Sequence, residues 1–200
     1  MIEPSADDVD AIRELINIGV GRAAGMLNDI TGCTIHLKVP SIQIVDIARF
    51  TDGTQNDGNT PLSTVSLSFR GPMSGLAALV FPPESAAQLV ILMTRESEES
   101  REMDAMRIET LKEVGNIIIN AVMGSIANVL KQHLNYSLPD YQELGIRSLA
   151  KSLHTRVDDR LVIANAHFQI EKTLIEGNIL LILELGSMDT LISSIHGVNT

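Results

Sequence analysis

Six polar residues carry the chemistry that this sequence offers most clearly. Asp10, Glu14 and Asn17 lie at i, i+4 and i+7, and Glu109, Glu113 and Asn116 repeat that spacing. On a helix turning about 100° per residue, each triplet falls at about 0°, 40° and −20°, one narrow polar stripe. Asparagine is a poor helix-interior residue, because its amide competes with the backbone. Two asparagines, each three residues after a glutamate, therefore call for a reason beyond solvation. A carboxamide is neutral and can both donate to a water and accept from it. No histidine accompanies either triplet.

The elements that would hold these stripes can be read from periodicity. Ile12, Ile16, Val20, Ala23, Leu27 and Ile30 recur at helical spacing, which predicts an amphipathic helix from Asp8 to about Ile30, with Gly32 in its C-cap region. Thr34 to Ile47 alternates and predicts a strand interrupted near Pro40. The turn formers of Thr51 to Thr60 predict an exposed loop. Leu62 to Phe69 alternates as a half-buried strand, and Gly75 to Phe81 is a fully apolar one. Pro83 and Glu84 open a shorter helix, with proline in the first turn where it is tolerated.

The order then repeats. A charged lead-in, Arg95 to Arg107, precedes a long helix carrying Ile108, Leu111, Val114, Ile118, Val122, Ile126 and Leu130. Strands are expected at about 141–149, 160–171 and 175–185, and a short helix at about 188–196. Glu14, Asn17 and Pro40 align with Glu113, Asn116 and Pro139 at an offset of 99 residues. Gly75, Leu89 and Val90 align with Gly177, Leu191 and Ile192 at 102. Two repeats, about 8–95 and 107–197, are expected to form a single domain over residues 1–200. The predicted fold is α/β (α+β), duplicated and pseudo-twofold. Two long helices would pack on one face of a mostly antiparallel six-stranded sheet.

Composition narrows the partners. The chain has 200 residues, 15 basic against 25 acidic, and a net charge of −10. Nucleic acid and anionic membranes would be repelled, and 3% aromatic residues with no Trp make a poor base-stacking platform. The start has neither a basic nor an apolar signal-peptide region, and no uninterrupted apolar run of about 18 residues is present, so a cytoplasmic protein is expected. Cys33 is the only cysteine and reads as a small buried hydrophobe. His36, His133, His154, His167 and His196 show no paired ligand spacing, so no metal site is expected. Gly19 to Ala24 has the form G-x-G-x-x-A but follows a helical pattern and not a strand, so its glycines more simply permit a close approach. No polar cluster outside the long helices suggests a small-ligand site.

In each half the pattern is an acidic residue, three residues, Glu, two residues, Asn, twenty-two residues, Pro. This double signature resembles that of the CheC/CheX/FliY family of chemotaxis response-regulator phosphatases. The run Asn17-Ile-Gly-Val-Gly-Arg-Ala-Ala is similar to the family's helix after that Asn, and the length and duplication look most like the CheC branch. Glu109 departs from the Asp or Ser usual at the first position. The resemblance implies hydrolysis of the aspartyl phosphate of a CheY-type regulator. Asn17 and Asn116 would orient the attacking water, as a glutamine does in GTPases. Glu14 and Glu113 would dock on a regulator lysine, with Asp10 and Glu109 as peripheral contacts. Magnesium would be bound by the regulator, and this chain would need no cofactor of its own. The resemblance also implies an alternative, a non-catalytic adaptor that binds a regulator or a CheD-like deamidase.

Overall fold

The computed structural model describes residues 3–47, 61–95, 104–145, 148, 160–170 and 172–198. The predicted Thr51–Thr60 loop and most of the charged lead-in to the second long helix lie outside them. Helix α1 (Ala6–Thr31) starts at Ser5 with a capping box: the Ser5 hydroxyl accepts from the Asp8 N–H, and the Asp8 carboxylate accepts from the Ser5 N–H. It stops at Gly32, whose φ of 65° is left-handed and whose N–H donates to the Asn28 carbonyl. Helix α3 (Ala105–Leu130) is its counterpart, capped by Asp104. Shorter helices α2 (Pro83–Thr94) and α4 (Ser187–Val198) follow the third strand of each half.

The strands are β1 (Ile35–Asp46), β2 (Leu62–Arg70), β3 (Gly75–Phe81), β4 (Asn135–Tyr136), β5 (Asp140–Leu144), β6 (Arg160–Ile170) and β7 (Thr173–Leu183). They form one sheet in the order β1-β6-β7-β3-β2, with β4 and β5 sharing the outer edge of β2. All pairings are antiparallel. Counted by edge positions, this is the six-stranded sheet expected, and its order reads alike from both ends. The leading strand of each half has crossed over: β1 pairs with β6, while β4 and β5 pair with β2.

Proline interrupts both leading strands. In β1 the register runs to Lys38↔His167 and resumes at Ser41↔Asn165, so Val39 and Pro40 oppose a single residue of β6. Proline has no N–H to give the ladder, and a bulge is one place a sheet tolerates it. In the second half the break over 137–139 splits β4 from β5. The strand expected at 141–149 ends at Leu144; residues 146, 147 and 149 are outside the described set.

The main core lies between the helices and one sheet face, and Cys33 is buried in it. Ala77, Leu79 and Phe81 of β3 face this core, while Leu76, Ala78 and Val80 join a second, smaller cluster on the other face with Leu161, Leu180 and Ile182. Burial on both faces explains why β3 is apolar without alternation. The same burial corrects the expectation for β2, whose Ser63, Thr64 and Ser66 are buried as well as its apolar residues. The Ser63 hydroxyl lies 3.2 Å from the Tyr141 hydroxyl of β5, and the Thr64 hydroxyl donates to the Leu62 carbonyl, so neither is stranded without a partner.

By length and composition α3 could cross a membrane, with a mean hydropathy of 1.4 over its most apolar window. This departs from the expectation drawn from uninterrupted apolar runs. Half of that window is buried inside the fold, where Leu111, Ile118, Val122 and Ile126 meet the core, as a core helix requires.

The start of α1 makes a pH-dependent contribution. Asp8 is 3% exposed, and its carboxyl is held below the usual range by the Ser5 hydroxyl, then by the Ser5 N–H, with His196 of α4 at 2.7 Å adding to the effect. A depressed carboxyl stabilises the fold above its unfolded pKa, and that contribution is lost as pH falls through the folded value. Asp8→Ala is therefore expected to cost about 1 kcal/mol at pH 7. The gap to wild type should narrow in urea titrations taken from about pH 4 downward. A gap independent of pH would remove the carboxylate as its cause.

Candidate functional site

The two polar stripes lie on α1 and α3, which pack directly on each other. A Cβ built on Gly19 would lie 2.4 Å from the Val122 Cα and 2.9 Å from the Ala121 carbonyl, so a glycine is needed at this crossing. Gly21 has open space around its Cα. The expected close approach therefore belongs to Gly19, and the G-x-G-x-x-A run lies wholly within α1.

The first position of each motif is neutralised by its own helix. The Arg13 guanidinium reaches Asp10 at 3.0 Å, and Lys112 reaches Glu109 at 2.8 Å, both three residues on. Arg13 and Lys112 are themselves related by the 99-residue offset. The second position differs: Glu14 and Glu113 are exposed, and neither forms an ion pair among the described residues. Each half thus presents one free carboxylate beside one paired one. An isolated surface carboxylate has little reason to be preferred for stability, since exposed ion pairs contribute only about 0–1 kcal/mol.

The two asparagines differ sharply. Asn17 is half-buried, and its carboxamide closes on β1: Nδ2 donates to the Val39 carbonyl at 3.0 Å, and Oδ1 accepts from the Val39 N–H at 2.9 Å. Nδ2 also lies 3.1 Å from the Arg13 carbonyl. Val39 stands in the bulge, where its N–H and C=O have no ladder partner on β6. The twenty-two-residue spacing from Asn17 to Pro40 thus places the carboxamide against the residue just before the proline. One turn from the end of α1, Asn28 does the same for Ile35, accepting from its N–H at 2.7 Å. Together they tie an edge strand to the helix.

Asn116 has no such bond. Its Oδ1 accepts from Asn120 Nδ2 at 2.8 Å, and its own Nδ2 has no acceptor among the described residues. The cause lies in the second break. Ser137 turns toward β2, donating its N–H to the Ser68 carbonyl and accepting from the Ser68 N–H with its hydroxyl, so α3 has no bulge to hold. The carboxamide at the second site is free to bind a water, whereas that of the first is engaged.

Among the described residues no group of three or more His, Cys, Asp or Glu side chains comes together. His154 lies outside them. A polar cluster does exist away from the helices, contrary to expectation. Behind the β1 bulge, on the sheet's outer face, a groove of about 540 Å³ is lined by Pro40, Ser41, Asn165, His167, Glu176 and Asn178. Asn165 Nδ2 donates to the Ser41 hydroxyl at 2.8 Å, and His167 lies 3.5 Å from Glu176. Alternation along β6 and β7 placed these residues on one face. In sequence that alternation looks like an ordinary solvated strand.

No protein-family model matches the chain. Over 137 residues it is 23% identical to the CheY-P phosphatase CheC of Bacillus subtilis (strain 168), a match covering 67% of this chain. The chain spans 65% of the length of that relative. Among solved structures it is similar to FliY of Thermotoga maritima, with a TM-score of 0.78 at 19% identity, covering 98% of this chain and 99% of that one. It is also similar to a FliG–FliM complex chain from H. pylori, with a TM-score of 0.68 at 12% identity, covering 94% and 99%. The fold is the FliY/CheC type of α/β protein, an antiparallel sheet with, among the described residues, four helices. Within that class, sequence and fold together support the CheC/CheX/FliY family of chemotaxis proteins for this chain.

Proposed function

We propose that the protein is a phosphatase acting on the aspartyl phosphate of a CheY-type response regulator. The observation that carries this reading is the exposed, unpaired glutamate three residues before an asparagine, present on both long helices. Hydrolysis of an aspartyl phosphate needs a water held in line with the scissile bond, and positioning supplies most of the catalysis. A free carboxamide does this without repelling the phosphoryl oxygens. Asn116 is available for that role, with Glu113 docking on a regulator lysine. Asn17 must first release Val39, so the first site is the slower one. Magnesium belongs to the regulator, and the setting is the bacterial cytoplasm.

The test is the decay of phosphorylated regulator with and without this protein, in magnesium. Charge reversal at both Glu14 and Glu113 is expected to raise KM about tenfold, the cost of replacing a close attractive contact by a repulsive one. Unchanged KM would remove these two residues from the interface. A second reading is favoured by the likeness to a FliM chain solved with FliG: a binding adaptor for a regulator or a CheD-like deamidase. It predicts that regulator binds with no acceleration of decay.

A further inference from the structure

We infer that the groove between the ends of α1 and α2 and the first half of α3 seats an apolar side chain of the phosphorylated regulator, beside the second Glu–Asn pair. This rests on the phosphatase reading above. The groove encloses about 330 Å³, and its walls include Leu27, Ile30, Met93, Arg95, Glu113 and Ile117. Glu113 is therefore a wall of the groove and a member of the motif at once. A regulator placed over Glu113 and Asn116 cannot avoid the groove.

Its lining points to an apolar occupant with charged neighbours. Ile30 at the lip keeps 68% of its surface exposed, and Met26, one turn earlier on α1, keeps 49%. Single exposed apolar residues are ordinary, but Ile30 lines a concave apolar site and Met26 extends the apolar surface along the same helix face, which marks a contact surface. Arg95 and Glu113 stand on the rim and are not paired with each other. Arg95 instead donates to the Gly32 carbonyl at 3.2 Å. An apolar side chain flanked by a cation on the Glu113 side and an anion on the Arg95 side matches this rim.

The feature belongs to the second site. At the repeat offsets, Ile30 corresponds to Val129 and Arg95 to Gly197, so the corner beside the first Glu–Asn pair lacks both the protruding isoleucine and the cation. The equivalent corner holds instead the buried Asp8 bonded to His196. The groove thus adds a reason, separate from the Asn17–Val39 bonds, for the second site to engage the regulator more tightly.

The experiment uses the full chain with Ile30→Glu, Ile30→Lys and Ile30→Leu, and phosphorylated regulator as substrate. Ile30 is exposed, so these variants should fold. Both charged variants are expected to raise KM about tenfold by abolishing apolar burial, with kcat within about twofold because Asn116 is untouched. Ile30→Leu should behave as wild type. Opposite effects of Glu and Lys would show long-range charge and not seating, and would overturn the proposal; so would unchanged KM in both. If wild type itself fails to accelerate decay, the phosphatase reading falls, but binding of regulator held in its phosphorylated form by beryllofluoride still reads the groove. Weaker binding by both charged variants then supports it, and equal affinity of all three variants overturns it.

Discussion

Asn116→Ala is expected to lower the rate of regulator dephosphorylation about 100-fold, the scale on which losing a positioning contact acts, while leaving the unfolding midpoint unchanged. Among the described residues its carboxamide bonds only to Asn120 on the same helix, so the fold loses almost nothing. Asn17→Ala is expected to do the reverse in proportion. It strips the Val39 N–H and carbonyl of their partners at a residue that is 1% exposed. Leaving buried backbone groups unsatisfied costs about 1–3 kcal/mol. Its activity loss should be the smaller of the two, and the double variant should leave only the regulator's own decay. Urea titration and single-turnover decay on the same preparations separate the effects. Equal activity losses with equal stabilities would show that the Val39 bonds do not distinguish the two sites.

The second large effect is structural. Gly19→Val would drive a branched side chain into the backbone of α3 at Val122 and Ala121, where no rotamer relieves the clash. The helices must separate, opening the core on both sides. Overpacking costs about 1–3 kcal/mol where side chains can shift, and more where backbone must. Against a typical stability of about 5–15 kcal/mol, a loss above 3 kcal/mol is expected to lower the urea midpoint clearly. Gly21→Ala, two residues away in the same helix and facing open space, should instead add about 0.5–1 kcal/mol through helix propensity. If both substitutions stabilise, the helices do not cross at Gly19.

The acid-dependent loss expected for Asp8→Ala belongs to the same end of α1 but acts through a different cause. There a carboxylate completes a cap, and protonation alone undoes it. Its size is a fraction of the Gly19 effect, because one cap closes one helix end while the crossing sets how both long helices pack on each other.

Much of this protein could be read from local chemistry. Apolar spacing located both long helices, since a helix that packs on one side must repeat its apolar residues every three to four positions. The unbroken apolar run of β3 indicated a strand, and Pro40 indicated a break in β1, because a residue without an N–H cannot continue a ladder. The Glu–Asn spacing placed each pair on one helix face, as 3.6 residues per turn demands. Tertiary structure alone decided the rest. Strand pairing is a long-range choice, so nothing local indicated that β1 would join β6 and that β4 and β5 would join β2. Burial of Ser63, Thr64 and Ser66 depended on what covers β2, which a period-two pattern does not report. The two asparagines look alike in sequence, each three residues after a glutamate and at equal distance from a proline. They differ in the folded chain because one proline leaves a bulge with an unpaired peptide beside its helix, and the other sits in a break already bonded to β2.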